Sequence, residues 1–276
     1  MTTKPKTKPV SMSFTDSKGV TREHVFGDGR LSIMAGPCSI ESKEHLIETA
    51  TGVKNAGATI LRGGVYKMRT SPDAFQGLGS NALSFVDEVT KNLGMPIVSE
   101  VTDPRQVADF AQSVDMFQVG SRNMYNYELL RELGQFKKPV LLKRAFAATV
   151  DEWIKAADYV IKGGNDNVIL CERGIRTFEP TTRNTLDLNS VAYLKAHTSF
   201  PVVVDPSHGT GRPELILPMS LAGVAAGADG LIIEVHPRPS EALSDAHQAI
   251  TFEQFRTIVE QVTKVANALG RQVEKP

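Results

Sequence analysis

No stretch of this sequence approaches the roughly 18–20 uninterrupted apolar residues that carry a helix across a bilayer. An apolar stretch at residues 221–235 is broken by Asp229. Cysteine is scarce, with only Cys38 and Cys171 in 276 residues, which gives no disulfide framework and suits a reducing cytosol. An excess of one charge is lacking as well. Lysine plus arginine equals aspartate plus glutamate at 31 each. No global field therefore recruits nucleic acid or an anionic membrane, and attraction for anions must come from local clustering. The opening MTTKPKTKPV has no apolar core and is not a secretory signal. These absences leave the expectation of a soluble, cytoplasmic, enzyme-sized chain.

What is present is a repeat. Eight short apolar runs, at residues 31–36, 58–61, 96–98, 116–119, 140–142, 167–170, 201–204 and 230–233, each end in polar or charged positions. Just beyond them lie Cys38, Arg62, Glu100, Arg122, Lys143, Arg173, Asp205 with His208, and Glu234 with His236. Helical stripes fall between the runs. Val150, Trp153, Ile154, Ala157 and Ile161 share one face behind Thr149 and Glu152 in capping-box spacing, and a stripe from Phe252 to Ala266 follows Thr251 and Gln254. Asp103-Pro104 opens another helix, and Gly57, Gly94 and Gly227 read as helix terminators. Strand–helix alternation predicts the α/β class with a parallel sheet, and eight units close a (β/α)8 TIM barrel over residues 31–276. An open doubly wound sheet would show a Gly-rich phosphate fingerprint after its first strand; the chain has Ala35-Gly36-Pro37-Cys38 there. Residues 1–9 read as a disordered tail. Residues 10–14 and 20–26 alternate around Asp16-Ser17-Lys18-Gly19 as a β-hairpin. Residues 1–30 thus form a tail-and-hairpin extension, and the hairpin, marginal alone, should pack over the barrel bottom or against a neighbouring subunit.

All barrel strands point the same way, so their carboxyl ends gather on the face where active sites sit. Cys38, His208, Glu234 and Asp245 follow strands one, seven and eight, which become neighbours on closure. A thiolate, an imidazole and two carboxylates suit a borderline divalent ion such as manganese, iron, cobalt or zinc. A free cysteine is also commonly a buried small hydrophobe, and Cys171, inside the sixth run, reads as that. His208 lies in Asp205-Pro206-Ser207-His208-Gly209-Thr210-Gly211, a tight loop rather than an apolar face. His24, His45, His197 and His247 read as surface or helix residues, and His236 as a neighbour of the ligands. Residues 61–71, reading Leu-Arg-Gly-Gly-Val-Tyr-Lys-Met-Arg-Thr-Ser, bring Arg62, Lys67 and Arg69 together with Thr70 and Ser71. A solvated charge run would intersperse acids, yet none occurs between Arg62 and Asp73. Lys143-Arg144, Arg122 and Arg173 add positive charge from other strands. Such a cluster needs anions to balance it, and two phosphorylated reactants fit better than one.

On these same residues the chain resembles a known family. Ala35-Gly36-Pro37-Cys38-Ser39-Ile40-Glu41-Ser42, the 61–79 segment, Gly120-Ser121-Arg122-Asn123-Met124, Leu142-Lys143-Arg144, Leu170-Cys171-Glu172-Arg173-Gly174, the 205–211 segment, Glu234-Val235-His236-Pro237 and Ala242-Leu243-Ser244-Asp245 resemble the type I beta branch of 3-deoxy-D-arabino-heptulosonate 7-phosphate (DAHP) synthase. The resemblance covers about residues 31–270. It implies condensation of phosphoenolpyruvate with erythrose 4-phosphate, the first step of the shikimate pathway to aromatic amino acids. It further implies that Cys38, His208, Glu234 and Asp245 hold a divalent metal ion. By the same likeness, Arg62, Lys67, Arg122, Lys143 and Arg173 hold phosphoenolpyruvate, and Arg69, Thr70 and Ser71 take erythrose 4-phosphate. Lys67, His208 and Glu100 are the candidate proton carriers, and a homo-oligomer, dimer or tetramer, is expected. Met68 stands where the family usually has proline, so the loop should be less preorganised. Family members often carry a ferredoxin-like regulatory domain or a fused chorismate mutase. Thirty residues ahead of the first barrel strand hold neither, so the expectation is an enzyme without the feedback inhibition those domains confer. Two rivals are 3-deoxy-D-manno-octulosonate 8-phosphate synthase, whose corresponding loop typically reads Lys-Ala-Asn-Arg-Ser-Ser, and a metal-dependent aldolase or lyase on the same barrel.

Overall fold

The computed structural model describes residues 6–68, 71 and 73–276. A hairpin of β1 (Val10–Thr15) and β2 (Thr21–Phe26) precedes eight parallel strands. These are β3 (Ser32–Gly36), β4 (Ile60–Arg62), β5 (Ile97–Glu100), β6 (Met116–Val119), β7 (Val140–Lys143), β8 (Val168–Glu172), β9 (Val202–Val204) and β10 (Gly230–Glu234). β10 pairs with β9 on one side and β3 on the other, which closes the sheet into a barrel. Helices α1 (Lys43–Asn55), α2 (Leu83–Leu93), α3 (Val107–Ser113), α4 (Tyr127–Gly134), α5 (Val150–Lys162) and α6 (Leu188–His197) occupy the crossovers from β3 to β9. Two helices, α7 (Pro206–Thr210) and α8 (Pro213–Ala225), join β9 to β10, and α9 (Phe252–Ala268) follows β10.

The caps sit where the sequence puts them. Thr149 accepts the Glu152 amide at 3.2 Å while the Glu152 carboxylate accepts the Thr149 amide at 2.8 Å, satisfying two otherwise orphaned donors of α5. Thr251 and Gln254 do the same for α9. Asp103 caps a 3₁₀ turn, Pro104–Gln106, and α3 proper begins only at Val107. The Gln106 side chain folds back onto the Thr102 and Asp103 amides, which holds that first turn tight. Gly94 ends α2 in the left-handed conformation at φ 63°.

The barrel strands are buried on both faces, as parallel strands covered by helices must be. Alternation along each strand divides them. Met34, Ile60, Val98, Met116, Leu141, Ile169, Val203 and Ile232 form the interior cluster, and their neighbours pack outward beneath the helices. Val10, Met12 and Phe26 of the hairpin belong to the interior cluster. The hairpin is therefore a plug in the amino-terminal mouth, as one of its two expected placements had it. Two further contacts seal that end. Glu274 accepts from Ser32 Oγ at 3.0 Å and lies 3.1 Å from His24 Nδ1. His24 is a buried residue of β2 rather than a surface one, because the C-terminal segment folds over it.

Candidate active site

Side chains that point into a barrel recur every second residue, so on most strands the position two beyond the interior apolar residue faces the carboxyl-terminal mouth. Ile60 leads in this way to Arg62, Val98 to Glu100, Met116 to Gln118, Leu141 to Lys143, Val203 to Asp205 and Ile232 to Glu234. On β8 that step from Ile169 reaches Cys171, still within the interior cluster, as its reading as a buried small hydrophobe has it. On β3 the same step from Met34 reaches Gly36, where a Cβ would come within 2.1 Å of the Arg62 carbonyl oxygen. Only glycine lets those two strand ends close up.

Four of the residues converge. Cys38 sits on the turn after β3, His208 in α7, Glu234 at the end of β10, and Asp245 in the loop before α9. One ligand atom from each lies within 4.8 Å of all the others. His208 Nε2 is 3.6 Å from Glu234 Oε2 and 3.8 Å from Asp245 Oδ2, and the Cys38 thiol is 3.2 Å from Asp245 Oδ2. Asp205 Oδ2 lies 2.8 Å from His208 Nδ1 and Asp205 Oδ1 accepts the His208 amide at 2.9 Å, so Asp205 holds the residue whose Nε2 faces the carboxylates. Gln248 Nε2 donates to Glu234 Oε2 at 2.5 Å. Asp245 has φ 52° and is the sole non-glycine with positive φ among the described residues. Such strain persists only where the surroundings impose it.

The electrostatics match a cation. Burial, reinforced by Glu234, pushes the Cys38 thiol up to about 12, and a divalent ion is what favours its thiolate form. Burial holds the His208 imidazole well below its ordinary value despite Asp205, so the ring is in the neutral form that binds metals. Burial also raises Glu234, with Asp245 adding to the effect. Burial opposes ionisation of Asp245, but Lys67, His208 and Arg183 outweigh it and hold that carboxyl far below its usual range. Glu234 Oε1 is buried without a hydrogen-bond donor. A thiol, a neutral imidazole and two carboxylates at this spacing fit a divalent metal ion.

Beside this group opens a cleft of about 330 Å³ lined by Arg62, Lys67, Ser71, Glu100, Arg122, Lys143, Arg173 and Arg183. Arg62 is buried, and its Nε and Nη1 make no hydrogen bond; an anion seated there would satisfy them. Lys143 Nζ donates to Asp205 Oδ2 at 2.6 Å. Lys67 Nζ is 2.6 Å from Cys38 Sγ and 3.5 Å from Asp245 Oδ2. Burial disfavours its ammonium, yet the surrounding Cys38, Glu100, Asp245 and Glu234 raise it above the usual lysine range.

The structure thus brings Cys38, Arg62, Lys67, Ser71, Glu100, Arg122, Lys143, Arg173, His208, Glu234 and Asp245 to one mouth. Arg69 and Thr70 lie outside the described residues. Arg144 departs from the cationic cluster: it turns outward to Glu172, Asp187 and Ser190 at 3.0, 2.9 and 3.0 Å. One residue after Lys143 on an extended chain, it must face the other side. Sequence reasoning assigns no specific site role to Asp205, Gln118 or Gln248. The two-residue step marks Asp205 and Gln118, and Gln248 carries no local signal; Arg183 lies in the long 172–189 connection on the carboxyl face, where long loops usually carry function. A second group, Glu41, His45 and His236, also gathers nitrogen and oxygen donors. The Arg238 amide donates to His236 Nδ1 at 3.0 Å, so the neutral ring carries its proton on Nε2, 3.5 Å from Glu41 Oε1. That protonated nitrogen makes no hydrogen bond and offers no lone pair to a metal.

Comparison with known proteins gives a consistent picture. The profile of the DAHP synthetase I family matches residues 14–270. A Phospho-2-dehydro-3-deoxyheptonate aldolase of Thermotoga maritima is 47% identical over 247 residues, spanning 90% of this chain and 73% of the relative. A 2-dehydro-3-deoxyphosphooctonate aldolase of Nitrobacter hamburgensis is 31% identical over 255 residues, spanning 85% of this chain and 88% of that one. Among solved structures, the crystal structure of the Thermotoga maritima Phospho-2-dehydro-3-deoxyheptonate aldolase (DAHP synthase) superposes with a TM-score of 0.87 at 43% identity, covering 99% of this chain and 80% of that chain. A truncated form of 3-deoxy-D-arabino-heptulosonate 7-phosphate synthase from the same organism gives a TM-score of 0.84 at 41% identity, covering 96% and 98%.

Proposed function

The chain belongs to the DAHP synthetase I family, and from that premise we propose how its residues condense phosphoenolpyruvate with erythrose 4-phosphate and water to give DAHP and phosphate. Of the two aldose-phosphate chemistries among its relatives, the heptonate one is favoured by 47% identity against 31% for the octonate. The observation that carries the reading is the juxtaposition of the Cys38, His208, Glu234 and Asp245 group with a cation-lined cleft.

Arg62, Lys143, Arg122 and Arg173 bind the phosphate and carboxylate of phosphoenolpyruvate, and Arg62 supplies buried N–H groups that make no hydrogen bond within the protein. Ser71, with Arg69 and Thr70, takes erythrose 4-phosphate at the cleft edge. A divalent ion held by Cys38, His208, Glu234 and Asp245, whether manganese, iron, cobalt or zinc, supplies Lewis acidity toward the aldehyde oxygen. The C3 methylene attacks the aldehyde carbon, a C–C bond forms and C2 becomes cationic. Lys67, kept protonated by its anionic neighbours, donates a proton to the aldehyde oxygen. Glu100, on the cleft lining, takes a proton from the water that adds at C2; the C2–O(phosphate) bond of the resulting hemiketal then breaks, and the C2 hydroxyl passes its proton to the departing phosphate as the ketone forms. His208 serves through its Asp205-fixed orientation. Holding both reactants in line contributes up to roughly 7–11 kcal/mol in favourable cases.

The same reading makes residues 31–276 one catalytic barrel with the 1–30 extension, and the enzyme a cytoplasmic homo-oligomeric transferase. Among the described residues no helix is long and apolar enough to cross a membrane. Phosphate release should require both substrates, should be much faster with erythrose 4-phosphate than with arabinose 5-phosphate, and should stop when a chelator strips the metal. Equal turnover with the two sugars, or release from phosphoenolpyruvate alone, would overturn the assignment. Light scattering of the purified chain tests the assembly state.

A further inference from the structure

Phe146 lies on the cleft wall after β7, and three guanidinium groups surround its ring. The central carbons of Arg173, Arg176 and Arg122 stand 4.7, 5.3 and 5.4 Å from the ring centroid. Three like charges converging on one point repel, and the negative faces of an aromatic ring are a neutral group that offsets this without neutralising the arginines. A carboxylate in that place would compete with the anionic substrate for the same N–H donors. A ring takes guanidinium groups by their faces rather than by the N–H edges that bind phosphate or carboxylate.

The backbone around Phe146 is tied to both arginine-bearing loops. The Arg176 amide donates to the Phe146 carbonyl at 2.7 Å. On the other side, the Ala145 amide donates to Met124 Sδ at 3.2 Å, next to the turn that carries Arg122. The backbone that carries the ring is thus tied to the segments after β6 and β8.

We propose that Phe146 is a positioning residue for the first substrate: its ring holds Arg122 and Arg173 in the orientation that receives phosphoenolpyruvate. This rests on the reading that those two arginines bind phosphoenolpyruvate, and the test separates the two claims. Phe146→Leu keeps an apolar side chain of similar volume without the π-face; Phe146→Tyr keeps the face. For Phe146→Leu, KM and the calorimetric Kd for phosphoenolpyruvate should rise about tenfold. Its kcat, its KM for erythrose 4-phosphate and its melting temperature should stay near the parent values. Phe146→Tyr should bind phosphoenolpyruvate within about twofold of the parent. Unchanged phosphoenolpyruvate affinity in Phe146→Leu overturns the proposal, as does equal loss in the Leu and Tyr variants or a parallel rise in both KM values. Arg173→Ala is the control on the premise: if it binds phosphoenolpyruvate normally, the arginine assignment fails, whatever Phe146 does.

Discussion

The two mouths of this barrel are built by the same eight strands and differ completely in chemistry. At the amino-terminal end Val10, Met12 and Phe26 close the interior with apolar side chains. At the carboxyl-terminal end, one two-residue step along the strands, the axis is lined by Arg62, Glu100, Gln118, Lys143, Asp205 and Glu234. The apolar end can be filled because nothing has to enter. The polar end holds charges that satisfy one another only in part: Arg62 Nη1 and Glu234 Oε1 face each other at 3.9 Å, and neither makes a hydrogen bond. Stability is concentrated at one mouth and reactivity at the other.

That division can be broken from either side. Phe26→Ala should unplug the bottom and cost about 3–5 kcal/mol of stability. A thermal melt would register this, while KM values measured well below the melting temperature stay unchanged. A shift in KM for either substrate would mean that the two mouths are coupled. Cys38→Ala should do the reverse: phosphate release falls at least about 100-fold and metal content drops. The melting temperature of the metal-free Cys38→Ala protein should match that of the metal-free parent. Full metal occupancy in that variant would remove Cys38 from the ligand set. Gln248→Leu is milder. Loss of its hydrogen bond to Glu234 should weaken metal affinity about 10–100-fold in a chelator competition.

The smallest effect is a pH dependence confined to the lower end. Burial pushes Asp115, at the entry to β6, up to about 6 from its ordinary 3.8, although the Ile97 amide and Lys138 oppose this. Its folded-state value lies above the unfolded one, so its contribution to stability is complete below pH 3.8 and is lost as pH rises through about 6. Asp115→Asn should flatten that part of the melting-temperature profile and leave kcat against pH unaltered.

Much of this architecture is readable in the sequence because the code for it is local. A capping box at Thr149 and Glu152 involves residues three apart. An eightfold alternation of apolar run and amphipathic helix has few ways to bury both kinds of face. Polar residues at strand ends were equally visible, which is why Cys38, Arg62, Lys143 and Glu234 could be nominated before any coordinates. Arg144 marks the limit of such local signals. Its neighbour Lys143 enters the cleft, whereas the strand's alternation sends Arg144 outward, and the composition of the pair does not say which residue does which. Gln248 is invisible for another reason: it meets Arg183, from the long 172–189 loop, through a 2.6 Å hydrogen bond that no local pattern encodes. Phe146 reads in the sequence as one more apolar residue, and only the three arginines around it give it a task.

The strand–helix period, the caps and the chemical types at each strand end are written in the amino-acid order, since they depend on neighbours within a turn or a pleat. Which of those side chains share a point in space, that the hairpin is a plug, and which polar atoms go without a hydrogen bond follow from the closed barrel alone. Those outcomes depend on how far the barrel rotates each strand before it closes, a distance-and-angle condition imposed by all eight strands at once.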